Sequence, residues 1–306
     1  MEYQEIARLI ERVVSGGSLS KTLWPEAAQL QPEDFGLISS GGNLSFPAAP
    51  QTMDEAQIQS ALPDLQVTTF TLVDSTNSQM VKRGADASIA GQLYLAEFQY
   101  GGRGRRGRRW LSPYARNLSM SLGAATTRPI ADLGGLSLVV GLALADAIEE
   151  MGVSGLQLKW PNDILVNDEK LCGILVELVQ RRSTVEIVIG IGVNISLTAD
   201  EMSQIGQPVA DLRRLGVTIS RSELVVAFIT RVQQYLQKFD ADGFEPFIAA
   251  FNALHKYHDQ ICSIIQGDNE TTGRVSGVGS QGELILFSGD SEQRFHGGEV
   301  SLRGPG

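Results

Sequence analysis

Two cysteines, Cys172 and Cys262, and three histidines, His255, His258 and His296, are all the thiol and imidazole chemistry in a chain of 306 residues. So few thiols exclude a disulfide framework and a zinc cluster. Histidines confined to the last quarter make a histidine-built metal centre improbable. No apolar run reaches ~18 residues without a polar interruption, so no membrane span is expected. A secretory leader would show a basic block and then an apolar one; MEYQEIARLIERVV instead sets Glu2, Glu5, Arg8, Glu11 and Arg12 at helical spacing. Basic charge is also short: 25 Lys and Arg against 35 Asp and Glu give a net −10. That balance disfavours non-specific nucleic-acid binding by the chain as a whole. These shortages predict a globular protein of a reducing cytoplasm, with no membrane partner. Hydrophobic residues at 42% supply the material for a core.

Three regions follow one another. Residues 1–62 give a helix over 3–14 (Ile6, Leu9, Ile10, Val13), short helices around SLSKTLWPEAAQL, and two short strands around Gly41-Gly42. That is the order of a winged helix. AAPQTMDEAQIQSALPDL reads as a linker and short helix. From 63 to 258 the pattern is α/β. QVTTFTLVD, QLYLAEFQ, NLSMSLGAA, LQLKW, DILVN, KLCGILVELVQ and TVEIVIGIGVNI read as strands. STNSQMVKRG begins a helix with Ser75 or Thr76 as cap and Gly84 as its stop. DLGGLSLVVGLALADAIEEMG is a long, mostly buried helix, and two more close the region at about 222–239 and 243–255. Residues 259–306 carry short apolar strands between polar turns, the pattern of a small barrel.

Against the acidic background stands EFQYGGRGRRGRRW, residues 97–110, with five arginines at positions 103–109. It matches the G-x-G-x-x-G string, but a dinucleotide fingerprint has small residues between its glycines and a helix after them. Here arginines fill the gaps, and Pro113 with the strand-like NLSMSL follows. A solvated basic loop is the plain alternative. Guanidinium groups ~6–7 Å apart repel by roughly 0.6 kcal/mol per pair in water, and four glycines add entropy that ordering must overcome. Such a loop has little reason to order alone. A polyanion reverses the sign, because guanidinium binds phosphate and carboxylate bidentately. The loop is therefore expected to close over a phosphate-bearing small ligand, with Trp110 holding it or stacking on a base. RNA, the competing polyanion, would want a basic surface around it.

Other clusters read as turns or as parts of a site. KWPND (159–163) has good turn chemistry, yet Lys159 ends an apolar strand and Lys170 follows in EKLCG, both within reach of an anion. IGIGVN (189–194) strips one sheet face of side chains, so either something packs closely there or a flat ligand lies on it. DSTN (74–77) offers hydroxyls and N–H groups at a helix start.

Taken together, DSTN, AEFQYGGRGRRGRRW, LKWPNDILVNDEKLCGILVE and IGIGVNI stand in the order and at the spacing of the biotin–protein ligases, and HGGEVSLR resembles the end of that family's small C-terminal barrel. The resemblance covers about 70–305. It implies an α/β (α+β) catalytic domain of the biotin/lipoate ligase type, flanked by a small winged-helix-like domain and an SH3-like β-barrel. It implies two reactions. Biotin and Mg-ATP give biotinyl-5′-adenylate and pyrophosphate; a lysine of a biotin carboxyl carrier domain, as in acetyl-CoA carboxylase, then takes the biotin and releases AMP. Carried over to these residues, Ser75, Thr76, Asn77 and Gln99 would line the biotin site. Gly102, Arg103, Gly104 and Arg105 would lie over biotin and the phosphates, with Arg106 and Arg108 nearby, and Lys170 would hold the carboxylate and adenylate phosphate. Lys159, Asn162 and Asp163 would sit at the ATP side, Gly173, Gly190, Gly192 and Asn194 would shape the ligand wall, and Trp110 would cover the nucleotide. Arg105 and Lys170 are the expected catalytic pair. Mg²⁺ would arrive with ATP, without dedicated ligands. A lipoate or octanoate ligase shares this fold and chemistry.

Some ligases of this family also repress biotin synthesis genes through the N-terminal domain. Here residues 1–60 hold three basic side chains against eight acidic ones. Phosphate neutralisation needs the opposite balance, and the stretch where a recognition helix would fall contains Pro25 and Pro32. A ligase without operator binding is expected, the bifunctional ligase–repressor being the alternative.

Overall fold

The computed structural model describes residues 2–25, 29–181, 184–267, 269–297 and 300–304. Part of the SLSKTLWPEAAQL stretch, and Gly298 and Glu299 of HGGEVSLR, lie outside the described residues.

The N-terminal region opens with α1 (Glu2–Gly16), whose Ile6, Leu9, Ile10 and Val13 form one buried stripe. The strands β1 (Leu19–Ser20), β2 (Ile38–Ser40) and β3 (Asn43–Ser45) make a small sheet in the order β1-β3-β2. Gly41 and Gly42 join β2 to β3 with φ of 57° and 81°, the left-handed pair a two-residue hairpin turn requires. Single turns of 3₁₀ helix stand at Lys21–Leu23 and Pro32–Phe35. Among the described residues no α-helix lies between Gly16 and Glu55.

The central region builds a seven-stranded sheet from β4 (Gln66–Phe70), β5 (Gln92–Ala96), β6 (Asn117–Ala125), β7 (Leu156–Lys159), β8 (Asp163–Val166), β9 (Glu169–Arg181) and β10 (Thr184–Asn194). Their order is β4-β5-β6-β10-β9-β8-β7. Only β4 and β5 pair in parallel, and the helix that crosses between them is α3 (Thr76–Asp86), preceded in the chain by α2 (Glu55–Ala61). Apolar residues from one face of the sheet, among them Leu118, Met120, Leu122, Ile187, Ile189, Ile191, Cys172 and Ile174, join the main core with α4 (Leu136–Glu150). After the short α5 (Ala199–Ser203), α6 (Arg221–Asp242) packs on α4, and α7 (Ile248–Leu254) follows. The start of α6 is fixed by a reciprocal capping box between Ser220 and Glu223.

One expectation needs correction. Gly84 does not stop α3, which runs on to Asp86; a Cβ there would meet Val179 Cγ1 at 2.7 Å, so this glycine serves a close approach of α3 to β9. One stretch, Ile130–Glu150, is apolar and long enough to cross a membrane by composition. It is a core element: α4 is apolar all round because sheet and helices cover it from both sides.

A buried ion pair knits the segments together. Arg221 donates to the Glu97 carboxylate and, through Nε, to the Asn117 carbonyl at 3.1 Å; Glu97 also accepts from the Met53 amide at 2.6 Å. The C-terminal strands β11 (Ile261–Gln266), β12 (Asn269–Val278), β13 (Leu284–Ser288), β14 (Ser291–Phe295) and β15 (Val300–Arg303) form a sheet in the order β14-β13-β12-β11-β15. Trp160 Nε1 donates to the Gly282 carbonyl at 3.0 Å, tying that sheet to the centre.

Candidate active site

Strand parity creates the floor of the site. On β6, Ser119, Ser121 and Gly123 alternate with the core residues; their cross-strand partners on β10 are Gly192, Gly190 and Val188, and those on β9 are Gly173, Leu175 and Glu177. Around Ser119, Ser121, Gly173, Gly190 and Gly192 the face opposite α4 is thus small and polar. A cavity of about 660 Å³ opens over it. Every residue singled out in the sequence lines this cavity except Gly102. Gly102 serves the loop instead: a Cβ there would lie 2.4 Å from the Trp110 carbonyl oxygen, and its own carbonyl accepts the Trp110 amide at 2.8 Å.

One end is a network of neutral polar groups at the start of α3. Ser75 caps the helix in an extended conformation. Gln99 Oε1 accepts the Thr76 amide at 2.8 Å. The Ser121 hydroxyl donates to Asn77 Oδ1 at 2.6 Å and lies 2.8 Å from Thr76 Oγ1. Asn77 Nδ2 donates to the Leu175 carbonyl at 3.2 Å and to Glu177 Oε2 at 2.8 Å. Thr76, Asn77 and Gln99 are all buried, so this end is rigid.

The other end is cationic. Lys170 Nζ lies 2.8 Å from Asp163 Oδ1 and 5.7 Å from the Trp110 ring centroid. Burial lowers the Lys159 pKa, with Lys256, Lys170 and Arg108 adding to the effect and Asp163 opposing it. Burial likewise lowers that of Arg105, next to Arg106 and Arg108. Both shifts mark positive charge that an anion would relieve. Asn162 braces this end: Nδ2 donates to the Ile174 carbonyl at 3.0 Å, and Oδ1 accepts from Arg105 at 3.2 Å. Asn194, buried, donates to the carbonyls of Lys170 and Ala210, both at 3.1 Å.

The arginine loop is a distorted hairpin over the cavity mouth. Arg103 bridges Arg109, and the Gly104 amide donates to the Arg108 carbonyl at 2.7 Å. Arg106 and Gly107 take left-handed φ of 58° and 69° at its tip. The sequence reading left these guanidinium groups without partners in the absence of a ligand. The structure gives them some: Arg103 faces Glu177 at 3.2 Å, and Arg105 donates to Asn162 and to the Gly297 carbonyl of the C-terminal region. The glycines of IGIGVN are also filled from within. A Cβ on Gly190 would strike the Asn77 amide at 2.2 Å, and one on Gly192 the Trp110 ring at 2.5 Å. Trp110 therefore lies on a shelf made by Gly173 and Gly192.

Sequence reasoning missed several lining residues. Ser119 was legible in the alternation of NLSMSLGAA; Gln204–Gln207 come from a distant segment with no motif, and Leu302 and Arg303 from HGGEVSLR, to which the sequence assigned no site role. Glu177, at the end of ILVE, touches the lining residues Asn77 and Arg103 without lining the cavity and read as one more strand residue. No histidine or cysteine lines the cavity. Its equipment is a neutral polar pocket joined to a cationic one, suited to a ligand with an uncharged hydrogen-bonding body and an anionic end.

The chain matches the model of the biotin/lipoate A/B protein ligase family over residues 69–194 and that of the biotin protein ligase C-terminal domain over 257–303. It is 32% identical to the bifunctional ligase/repressor BirA of Escherichia coli over 298 residues, covering 94% of this chain and 92% of that one. It is 30% identical to the biotin–[acetyl-CoA-carboxylase] ligase of Paracoccus denitrificans, over 76% of this chain and 98% of the relative. In structure it resembles the biotin protein ligase of Aquifex aeolicus in complex with biotin and ATP, with a TM-score of 0.67 and 26% identity over 78% of this chain and 99% of that one. With its motifs gathered around one cavity and relatives matched over nearly their whole length, the chain belongs to the biotin–protein ligase family.

Proposed function

We propose that the protein is an ATP-dependent biotin–protein ligase whose two half-reactions share the single cavity under the arginine loop. The observation that carries this is the joining of a rigid neutral pocket (Ser75, Thr76, Asn77, Gln99) to a cationic one (Arg105, Lys159, Lys170) under five arginines. In the first step a biotin carboxylate oxygen attacks the ATP α-phosphorus and pyrophosphate leaves. In the second, the amine of a carrier-domain lysine attacks the mixed-anhydride carbonyl carbon and AMP leaves. The substrate supplies its own nucleophile in each step. Catalysis is then positioning and charge neutralisation. The neutral network takes the biotin head; Arg105 and Lys170 neutralise charge at the reacting carboxylate and phosphate. Arg103, Arg106, Arg108, Lys159, Asn162 and Asp163 serve the phosphates and nucleotide, Gly173, Gly190, Gly192 and Asn194 shape the wall, and Trp110 moves from its shelf to cover the nucleotide. Closing the loop also keeps water from the anhydride.

Among the described residues no three of His, Cys, Asp and Glu come together. Mg²⁺ would come to this site with ATP rather than on dedicated protein ligands, and would supply further charge neutralisation beside Arg105, Lys159 and Lys170. We place the reaction in the cytoplasm. The chain divides at about 62 and 258, with Met53, Ile58 and Leu62 of the first unit packing into the central core. DNA binding is the second reading, raised by relatives named ligase/repressor. We propose its absence here, because the described residues of the stretch where a reading helix would fall hold only single 3₁₀ turns and the segment is acidic.

Pyrophosphate exchange into ATP tests the ligase, with biotin and, separately, lipoate as the acid. Exchange with biotin, lost in Lys170→Ala and Arg105→Ala, is expected. Exchange with lipoate alone overturns the substrate, and none with either overturns the activity. Salt-sensitive, sequence-specific DNA binding by the same preparation would restore the repressor.

A further inference from the structure

A carboxylate that touches two lining residues of an anion-binding cavity, though it does not line the cavity itself, acts against an anionic ligand, so Glu177 needs a reason to be there. The last residue of LKWPNDILVNDEKLCGILVE but given no role from the sequence, it stands on β9 opposite Val188 with its side chain 27% exposed. Both its oxygens lie 3.2 Å from Arg103 Nη2, at the base of the arginine loop. Oε2 also accepts from Asn77 Nδ2 at 2.8 Å. Asn77 is buried, its second N–H goes to the Leu175 carbonyl, and its Oδ1 accepts from Ser121. Both N–H bonds of the amide are therefore used in one orientation only, and Oδ1 keeps a second lone pair. Reversing it would set the amide oxygen against the Leu175 carbonyl and the Glu177 carboxylate. One carboxylate thus joins the loop to the helix that starts at the neutral pocket.

We propose that Glu177 is a positioning residue, a latch that holds the arginine loop against the sheet through Arg103 and fixes the amide of Asn77 for recognition of the ligand's neutral head. With the site empty, its charge takes the place of an anion on one of five crowded guanidinium groups. The loop is thereby held near its closed position. The effect on the adenylate rests on the ligase reading; the effect on the loop does not.

Three variants of the full chain test this: Glu177→Gln, which removes the charge and keeps an acceptor for Asn77; Glu177→Ala, which removes both; and Arg103→Ala, alone and combined with Glu177→Gln. The first readout is the rate of tryptic cleavage within residues 103–109 of the ligand-free protein. Glu177→Gln is expected to raise it about three- to fivefold, the range for a partly exposed ion pair, with no further increase when Arg103 is also replaced. The second is the escape of biotinyl-adenylate into solution, faster in Glu177→Gln by a similar factor. The third is the KM for biotin, raised about tenfold or more in Glu177→Ala, where a buried N–H loses its acceptor, and near the parent value in Glu177→Gln. Unchanged cleavage in Glu177→Gln, or additive effects of the Gln and Arg103→Ala changes, overturns the latch. If Glu177→Ala does not fold, the Gln and Arg103 cycle decides alone. If the parent forms no adenylate, the ligase reading falls and the tryptic rates still decide the latch.

Discussion

At the residue scale, much of the site's shape comes from hydrogen atoms where side chains would be. Gly190 leaves room for the Asn77 amide, and Gly192 and Gly173 for the Trp110 ring. Asn77 cannot retreat from a new methyl group, because it is 4% exposed and every polar atom is engaged. Gly190→Ala is therefore expected to raise the KM for biotin about tenfold or more, the scale of an overpacked contact, with a smaller change in the KM for ATP. Steady-state kinetics with each substrate varied in turn would show it, and equal shifts for both would count against a role confined to the neutral pocket. The alternating glycines were visible in IGIGVN, but what fills them was not. Asn77 and Trp110 are 113 and 82 positions before Gly190 and Gly192, and only the register of β6, β10 and β9 brings them together. Glu177 stayed hidden for a similar reason: a strand residue's partners across the mouth of a cavity leave no local pattern.

At the element scale, the stems of the arginine loop and the N-terminal region share one core. Phe98 precedes the loop and Tyr114 follows it; both belong to the cluster of Ile6, Leu9, Ile10, Trp24, Phe35 and Leu44. Phe35 lies 4.5 Å from Phe98 and 6.4 Å from Tyr114, centroid to centroid, and Tyr3 stacks on Tyr100 at 4.2 Å. Burial raises the Tyr114 hydroxyl pKa, with Glu97 adding to the effect, which fits a dry interface. Phe35→Ala removes the ring that touches both stems. It is expected to cost about 3–5 kcal/mol within the N-terminal core and to speed loop proteolysis and weaken biotin binding, although Phe35 does not line the catalytic cavity. A Phe35→Ala protein with a lowered Tm but unchanged biotin affinity would separate the two regions. The helix–hairpin order of residues 1–62 and the strands of the central region were legible from periodicity and glycine pairs. The shared aromatic core was not, since its members are scattered over more than 100 positions.

At the scale of the whole molecule, one buried imidazole marks the junction of the central and C-terminal sheets. His255 bridges Leu158 of β7 through its backbone and stacks on Phe251 at 5.3 Å. Both ring nitrogens are buried without a hydrogen-bond partner. Burial, with His258 adding to the effect, lowers its pKa to about 4. The unfolded chain binds this proton near pH 6.5, so between those values it holds more protons than the folded one. Stability from this group is present above about pH 6.5 and is lost as pH falls toward 4, by roughly 1 kcal/mol per pH unit. Thermal melts between pH 7.5 and 5 are expected to show a fall in Tm that is shallower in His255→Phe; parallel slopes would assign the acid sensitivity to the carboxylates.

The resting place of Trp110 has a further consequence. Of the three tryptophans, Trp24 and Trp160 are buried, at 6% and 1% exposure. Trp160 and Trp110 both line the cavity, and Trp110 does so with its ring on the glycine shelf and the Lys170 ammonium beside it. Anything that enters must alter the polarity and the charge around the Trp110 indole, while Trp24, away from the cavity, serves as an internal baseline. The chain's own ultraviolet emission is therefore an occupancy meter, built in without dye or label.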